Sequence, residues 1–118
     1  NRFARHQRAG KAMRAAIRAL GLELLSKNEA VASNTLTAPF YPSKIDAATF
    51  LKETNQQGII FAGGLLPELK TKYFRIGHMG SVNKADLLAT IGAIETVLKN
   101  NGSKHELGVG TAEILKHF

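Results

Sequence analysis

At 118 residues, with 44% hydrophobic and 21% charged side chains, the chain has the length and composition of one globular domain and not of a disordered segment. It contains no cysteine, which excludes disulfides, thiolate metal sites and cysteine nucleophiles, and no apolar run approaches the roughly 20 residues that span a bilayer. Its net charge of +7 is uneven: Arg2, Arg5, Arg8, Lys11, Arg14 and Arg18 stand within the first 20 residues against no acid, and the rest is nearly balanced. The chain opens at Asn1 without an initiator methionine, the start expected of a fragment or processed product.

Residues 3–20 are rich in alanine and free of proline, and Ala9, Met13, Ile17 and Leu20 recur at the spacing of one helical face. A helix is predicted there, closed by Gly21 in a left-handed cap with Leu22 packing back on the last turn. Its basic side chains are spaced around the remaining surface. They face nucleic acid or an anionic membrane on one reading, and an acidic neighbouring domain or water on the other. The absence of a narrow basic seam weighs against insertion into a nucleic-acid groove. Residues 22–25 lead toward a strand, 27–29 read as a turn, and 31–38 are predicted as a strand with no clean apolar face, closed by Pro39. Asp46 is expected to cap a helix carrying Ala47, Phe50 and Leu51 on one side and ending near Gly58. Residues 58–62, short and apolar, are expected to form a buried strand. Gly63 and Gly64, with Pro67 beyond, mark a sharp turn whose open backbone either approaches a ligand or simply joins two strands.

In the next strand, residues 72–80, alternation puts Phe74, Ile76 and His78 on one face and Tyr73, Arg75 and Gly77 on the other. Arg75 thus points away from the core beside a residue with no side chain. It reads either as an anion clamp, whose planar fork grips a carboxylate or phosphate, or as a half-exposed sheet arginine paired with a neighbouring acid. Asn83 is predicted to cap a long helix, with Asp86 in its first turn, Leu87, Leu88, Ile91, Ile94, Glu95 and Leu98 on its packed face, and Asn100, Asn101 and Gly102 stopping it. Residues 102–118 read as a C-terminal tail holding a short helix around Ala112, Ile114 and Leu115, set apart from a domain of residues 1–101. The element order gives an α+β fold: a small, mostly antiparallel sheet covered by helices on one face.

Catalytic chemistry is sparse. His6, His78, His105 and His117 stand far apart with no metal-ligand spacing, so no metal site is expected, and His78 near the arginine has no assigned role. Ser33 and Ser81 have no recognisable base, and no dinucleotide or Walker glycine pattern occurs.

Four stretches, RAAIRALGLE at 14–23, TLTA at 35–38 before Pro39, GIIFAGG at 58–64 and YFRIGHMG at 73–80, resemble in that order the C-terminal small domain of class V aminotransferases. Among these fold type I pyridoxal phosphate enzymes the likeness is greatest to the alanine-glyoxylate and serine-glyoxylate group. The resemblance implies that Arg75 binds the substrate's α-carboxylate and that Gly63 and Gly64 line the site. It also implies that the cofactor's lysine and phosphate ligands belong to a large domain, so this chain holds no catalytic or cofactor-binding residue. The expected partners are that large domain, a second subunit in a homodimer, and amino acid and 2-oxo acid substrates, with neither nucleic acid nor membrane. Leu65, Leu66 and Pro67 depart from the small residues with which the family often continues its glycine pair. Two other functions stand beside this one: a regulatory domain that binds a small anion or amino acid, and a nucleic-acid binder using residues 2–18.

Overall fold

The computed structural model describes residues 2–25, 36–63, 72–77 and 83–118. Seven elements follow in order: α1 (Arg2–Ala19), β1 (Leu36–Thr37), α2 (Ala47–Gln56), β2 (Ala62–Gly63), β3 (Phe74–Gly77), α3 (Lys84–Asn100) and α4 (Val109–Lys116). The turn expected at 27–29, most of the strand expected over 31–38, the departure at Leu65, Leu66 and Pro67, and Ser33, Gly64, His78 and Ser81 lie outside the described residues.

Helix α1 buries its expected stripe completely, with Ala9, Met13 and Ile17 at 1% exposure or less, joined by Ala12 and Ala16. Gly21 ends it at φ 81°, where a Cβ would be strained. The Leu22 N–H donates to the Ile17 carbonyl at 3.2 Å and the Gly21 N–H to the Arg18 carbonyl at 2.9 Å. This is the paired bonding of a Schellman turn. The same two bonds close α2 at Gly58 and α3 at Gly102. One basic residue departs from the expectation of a solvated ring of charges: Arg14 is only 4% exposed, so its charge does not contribute to an open basic surface. It sits one position from Met13 on the face that packs inward.

The sheet is antiparallel with β3 in the middle, in the order β1-β3-β2. Register pairs Thr37 with Ile76 on one side and Ala62 with Arg75 on the other. Residues 23–25 extend the pairing, since Leu25 N–H donates to the Ala38 carbonyl and Phe40 N–H to the Glu23 carbonyl, each at 2.8 Å. Phe74 and Ile76 enter one core with Met13, Ile17, Phe50, Ile91 and Ile94, so the helices cover that face of the sheet. The fold is α+β, as the element order implied.

The stretch before β2 differs from the buried strand expected of it. Ile60 is 83% exposed and the ladder includes only Ala62 and Gly63. The Schellman turn at Gly58 redirects the chain, and only Phe61 reaches inward, where its ring lies 5.1 Å from Phe74 and 6.3 Å from Phe50. An apolar run without alternation hides which of its members face the core.

Helix α4 has no side-chain cap of its own, because its N-cap is Gly108. The carboxylate of Glu95, 4% exposed on α3, supplies the cap: it accepts from Gly108 N–H at 2.5 Å and Thr111 N–H at 2.9 Å. Gly110 lets the two helices close, since a Cβ there would lie 2.7 Å from Ile91 Cγ2 and 2.9 Å from Glu95 Oε1. Ile114 completes the seam by joining the common core.

Candidate functional site

Arg75 stands at the centre of β3, half-buried, between buried Phe74 and Ile76. Its backbone pairs with Ala62, so the two side chains share the outer face of the sheet. The guanidinium reaches across to β2, where Nε donates to the Gly63 carbonyl at 2.8 Å. That bond uses one of the five donors of the guanidinium and leaves both terminal nitrogens, four N–H groups in one plane, for a partner. Among the described residues, no carboxylate pairs with them. The pairing of Arg75 with Gly63 is direct. The neighbours opposite and beyond, Ala62 and Gly77, are small and exposed, which keeps the fork accessible from the outer face.

Rigidity comes from below. The Phe50 and Phe74 rings meet at 4.6 Å, and Tyr41 lies 5.5 Å from Phe50 and 5.3 Å from Phe74. The Tyr41 hydroxyl is buried without a partner among the described residues, and burial raises its pKa above the ordinary phenol value. Phe74 is fixed by this cluster, and Arg75, one residue on, inherits its backbone position.

Among the described residues, two hollows lie away from Arg75. A cleft of about 330 Å³ opens between the C-terminal turns of α1 and α3, lined by Leu22, Ser43, Lys44, Ser103 and Lys104 among others. The partial negative charge of two helix C-termini disfavours an anion there, despite the two lysines. A wider hollow beside α2 includes Tyr41, Asp46 and Lys72. Arg75 lines neither. It is half-buried on the outer face of the sheet. Among the described residues, no cluster of three or more His, Cys, Asp or Glu is placed to hold a metal ion, and no helix is long and apolar enough to cross a membrane.

No protein-family model matches the sequence. Individual proteins do. The chain is 38% identical over 112 residues to the serine-glyoxylate aminotransferase of Arabidopsis thaliana, covering 95% of this chain and 28% of that protein. It is 41% identical over 115 residues to an uncharacterized aminotransferase of Methanocaldococcus jannaschii, covering 96% of this chain and 29% of that one. The fold superposes on the crystal structure of the ureidoglycine-glyoxylate aminotransferase of Bacillus subtilis with a TM-score of 0.88 at 30% identity, over 98% of this chain and 30% of that one. The pyridoxamine-pyruvate aminotransferase of Mesorhizobium loti matches equally, with a TM-score of 0.88 at 31% identity and the same coverage. By sequence and fold the chain belongs with the class V aminotransferases. It is the counterpart of their C-terminal part, and it spans less than a third of the length of these relatives.

Reasoning from sequence missed the Glu95 cap and the exposure of Ile60. The first had a signal: an acid inside the apolar register of α3, and a later helix whose N-cap is a glycine. The second had none.

Proposed function

We propose that this chain is the substrate-orienting small domain of a pyridoxal phosphate-dependent aminotransferase, which moves an amino group from an amino acid to glyoxylate or another 2-oxo acid. The observation that carries the reading is the geometry of Arg75: one nitrogen tied to Gly63, and two terminal nitrogens with no acid beside them among the described residues, on the outer face of the sheet. Such a fork binds a carboxylate through two parallel bonds and fixes its plane as well as its position. Gly63 sets the arginine through its carbonyl, and in this reading Gly64, the next residue in sequence, lines the site with it. The names of the relatives support the substrate class, since glyoxylate appears in two of them and pyruvate in a third.

Class V aminotransferases are pyridoxal phosphate enzymes, and the cofactor supplies their carbanion chemistry. The described residues do not fit that group. A Schiff-base lysine needs a desolvated amine, and every lysine among the described residues is exposed. The cofactor, in this reading, is held by the large domain, which with a second subunit completes the enzyme. The isolated 118-residue chain is then inactive.

Two measurements test the reading. Mixed with pyridoxal phosphate, the isolated chain should show no transamination and no borohydride-reducible adduct at a single lysine; a specific adduct overturns it. In the full-length enzyme, Arg75→Ala should weaken substrate use while leaving the cofactor's absorbance intact. Unchanged kcat/KM would remove the clamp role.

A further inference from the structure

Ile60 is the most exposed large apolar side chain among the described residues. It is 83% exposed, while its neighbour Phe61 packs into the core against Phe74 and Phe50. Because Phe61 points inward, Ile60 points to the opposite, outer side. The ladder pairs Ala62 with Arg75 and ends there; the Phe61 ring, 5.1 Å from Phe74 on the inner face, keeps to the same alternation, and continuing that register two residues back from Ala62 brings Ile60 to the outer face, diagonal to Arg75. Diagonal neighbours on one face are about 7–8 Å apart at Cα, within reach of long side chains. Of the residues around the arginine on that face, Ala62 and Gly77 offer almost no side chain. Ile60 is the large apolar group among the described residues of that face.

We propose that Ile60 is a positioning residue for the substrate carboxylate: the apolar shoulder that keeps water off the ion pair formed at Arg75. The inference rests on the carboxylate-binding reading of Arg75. Its chemistry is elementary. An exposed ion pair is weakened by the solvent around it, and covering one flank with hydrocarbon lowers the effective dielectric; the attraction grows roughly fourfold as that value falls from about 80 to about 20. Closure over a bound substrate also removes the Ile60 side chain itself from water, so the same contact that strengthens the pair is favoured by apolar burial. A polar residue at this position would keep its own water and leave the pair wet.

The test uses the full-length enzyme with Ile60→Ser, Ile60→Leu and Arg75→Ala, assayed with an oxo acid substrate over a range of salt concentrations. Ile60→Ser should raise KM about tenfold with kcat nearly unchanged, and kcat/KM should fall more steeply with salt than in the wild type. Ile60→Leu should restore both. If Ile60→Ser keeps wild-type KM and salt dependence while Arg75→Ala has lost activity, the proposal for Ile60 is wrong and the clamp stands. A lowered melting temperature with unchanged salt dependence also overturns it, because the role is then merely structural. If Arg75→Ala behaves as wild type, the clamp itself fails, and the shoulder with it.

Discussion

Two charged side chains divide the labour of this domain, and the contrast lies in how their hydrogen-bonding capacity is used. Glu95 is buried between α3 and α4, and both its oxygens accept from backbone N–H groups of the helix it caps. Arg75 is half-buried, and a single bond from Nε ties it to Gly63. A buried charge whose partners all come from its own chain is finished when the chain folds, and it stabilises the fold by satisfying donors that water cannot reach. A charge held at one nitrogen, with no acid at the two others among the described residues, is oriented but incomplete. The first arrangement belongs to stability and the second, in the proposed function, to binding, so substitutions at the two sites should separate in what they change.

The largest separation is expected at Arg75. Arg75→Ala in the full-length enzyme should lower kcat/KM roughly 100-fold or more, about 3 kcal/mol for a charge-assisted bidentate pair. Unfolding of the same variant should shift by less than about 1 kcal/mol, since only one partly buried bond is lost. Steady-state kinetics alongside urea unfolding measures both. A variant that unfolds easily but turns over normally would reverse the roles assigned to the two charges.

Glu95→Ala should do the opposite. Two N–H groups at the start of α4 lose their acceptor inside a packed seam, and a loss of about 2–4 kcal/mol in the unfolding free energy of the 118-residue chain is expected. Glu95→Gln retains one carbonyl acceptor and sets an amide NH2, a donor, against the other N–H, so it should fall between. Far-ultraviolet circular dichroism should show the helical loss to be small, the size of α4 alone. Equal unfolding midpoints for Glu95→Ala and the wild type would mean that the cap contributes nothing.

The seam offers a finer comparison between two glycines. Gly110→Ala forces a methyl to within 2.7 Å of Ile91 and 3.2 Å of Leu20, and should cost about 1–3 kcal/mol as α4 shifts outward. Gly92→Ala, within α3 and with nothing inside 4 Å of the added Cβ, should instead stabilise by up to about 1 kcal/mol through helix propensity. Opposite signs from the same chemical change, read by denaturant midpoints, would assign the difference to packing.

What sequence reveals about such a molecule depends on how local the determining physics is. The helix ends were legible because capping is a short-range affair: Gly21, Gly58 and Gly102 stop their helices, and Asn83 forms a reciprocal capping box with Asp86. The alternation around Arg75 was legible for the same reason, and the motif at 73–80 drew attention to it. Ile60 was not, because a run of apolar residues carries no phase and the turn at Gly58 sets which of them face inward. Glu95 was placed on the packed face of α3 correctly, yet its partner lies 13 and 16 positions away. Buried Arg14 was likewise hidden by its charge, since composition predicts exposure and only the packing around α1 overrides it.

The smallest expected effect concerns a third charge, which unlike the other two is fully exposed. Asp46 caps α2 by accepting from the Thr49 N–H at 2.8 Å, and that bond, with further bonding to Thr49, holds its carboxyl below the ordinary carboxylate range. A pKa lower in the folded than in the unfolded chain means that the unfolded state binds the proton more readily. The contribution of the cap is therefore complete above the unfolded pKa of about 4 and is lost as pH falls through the lower folded value. Asp46→Asn keeps an oxygen able to cap but has nothing to titrate. The difference in urea midpoint between wild type and Asp46→Asn should thus be constant from about pH 7 down to about pH 5 and change as pH falls below about 4, in the direction that weakens the wild type. A difference that stays flat throughout would mean that the charge on the cap, as distinct from its oxygen, has no effect on α2.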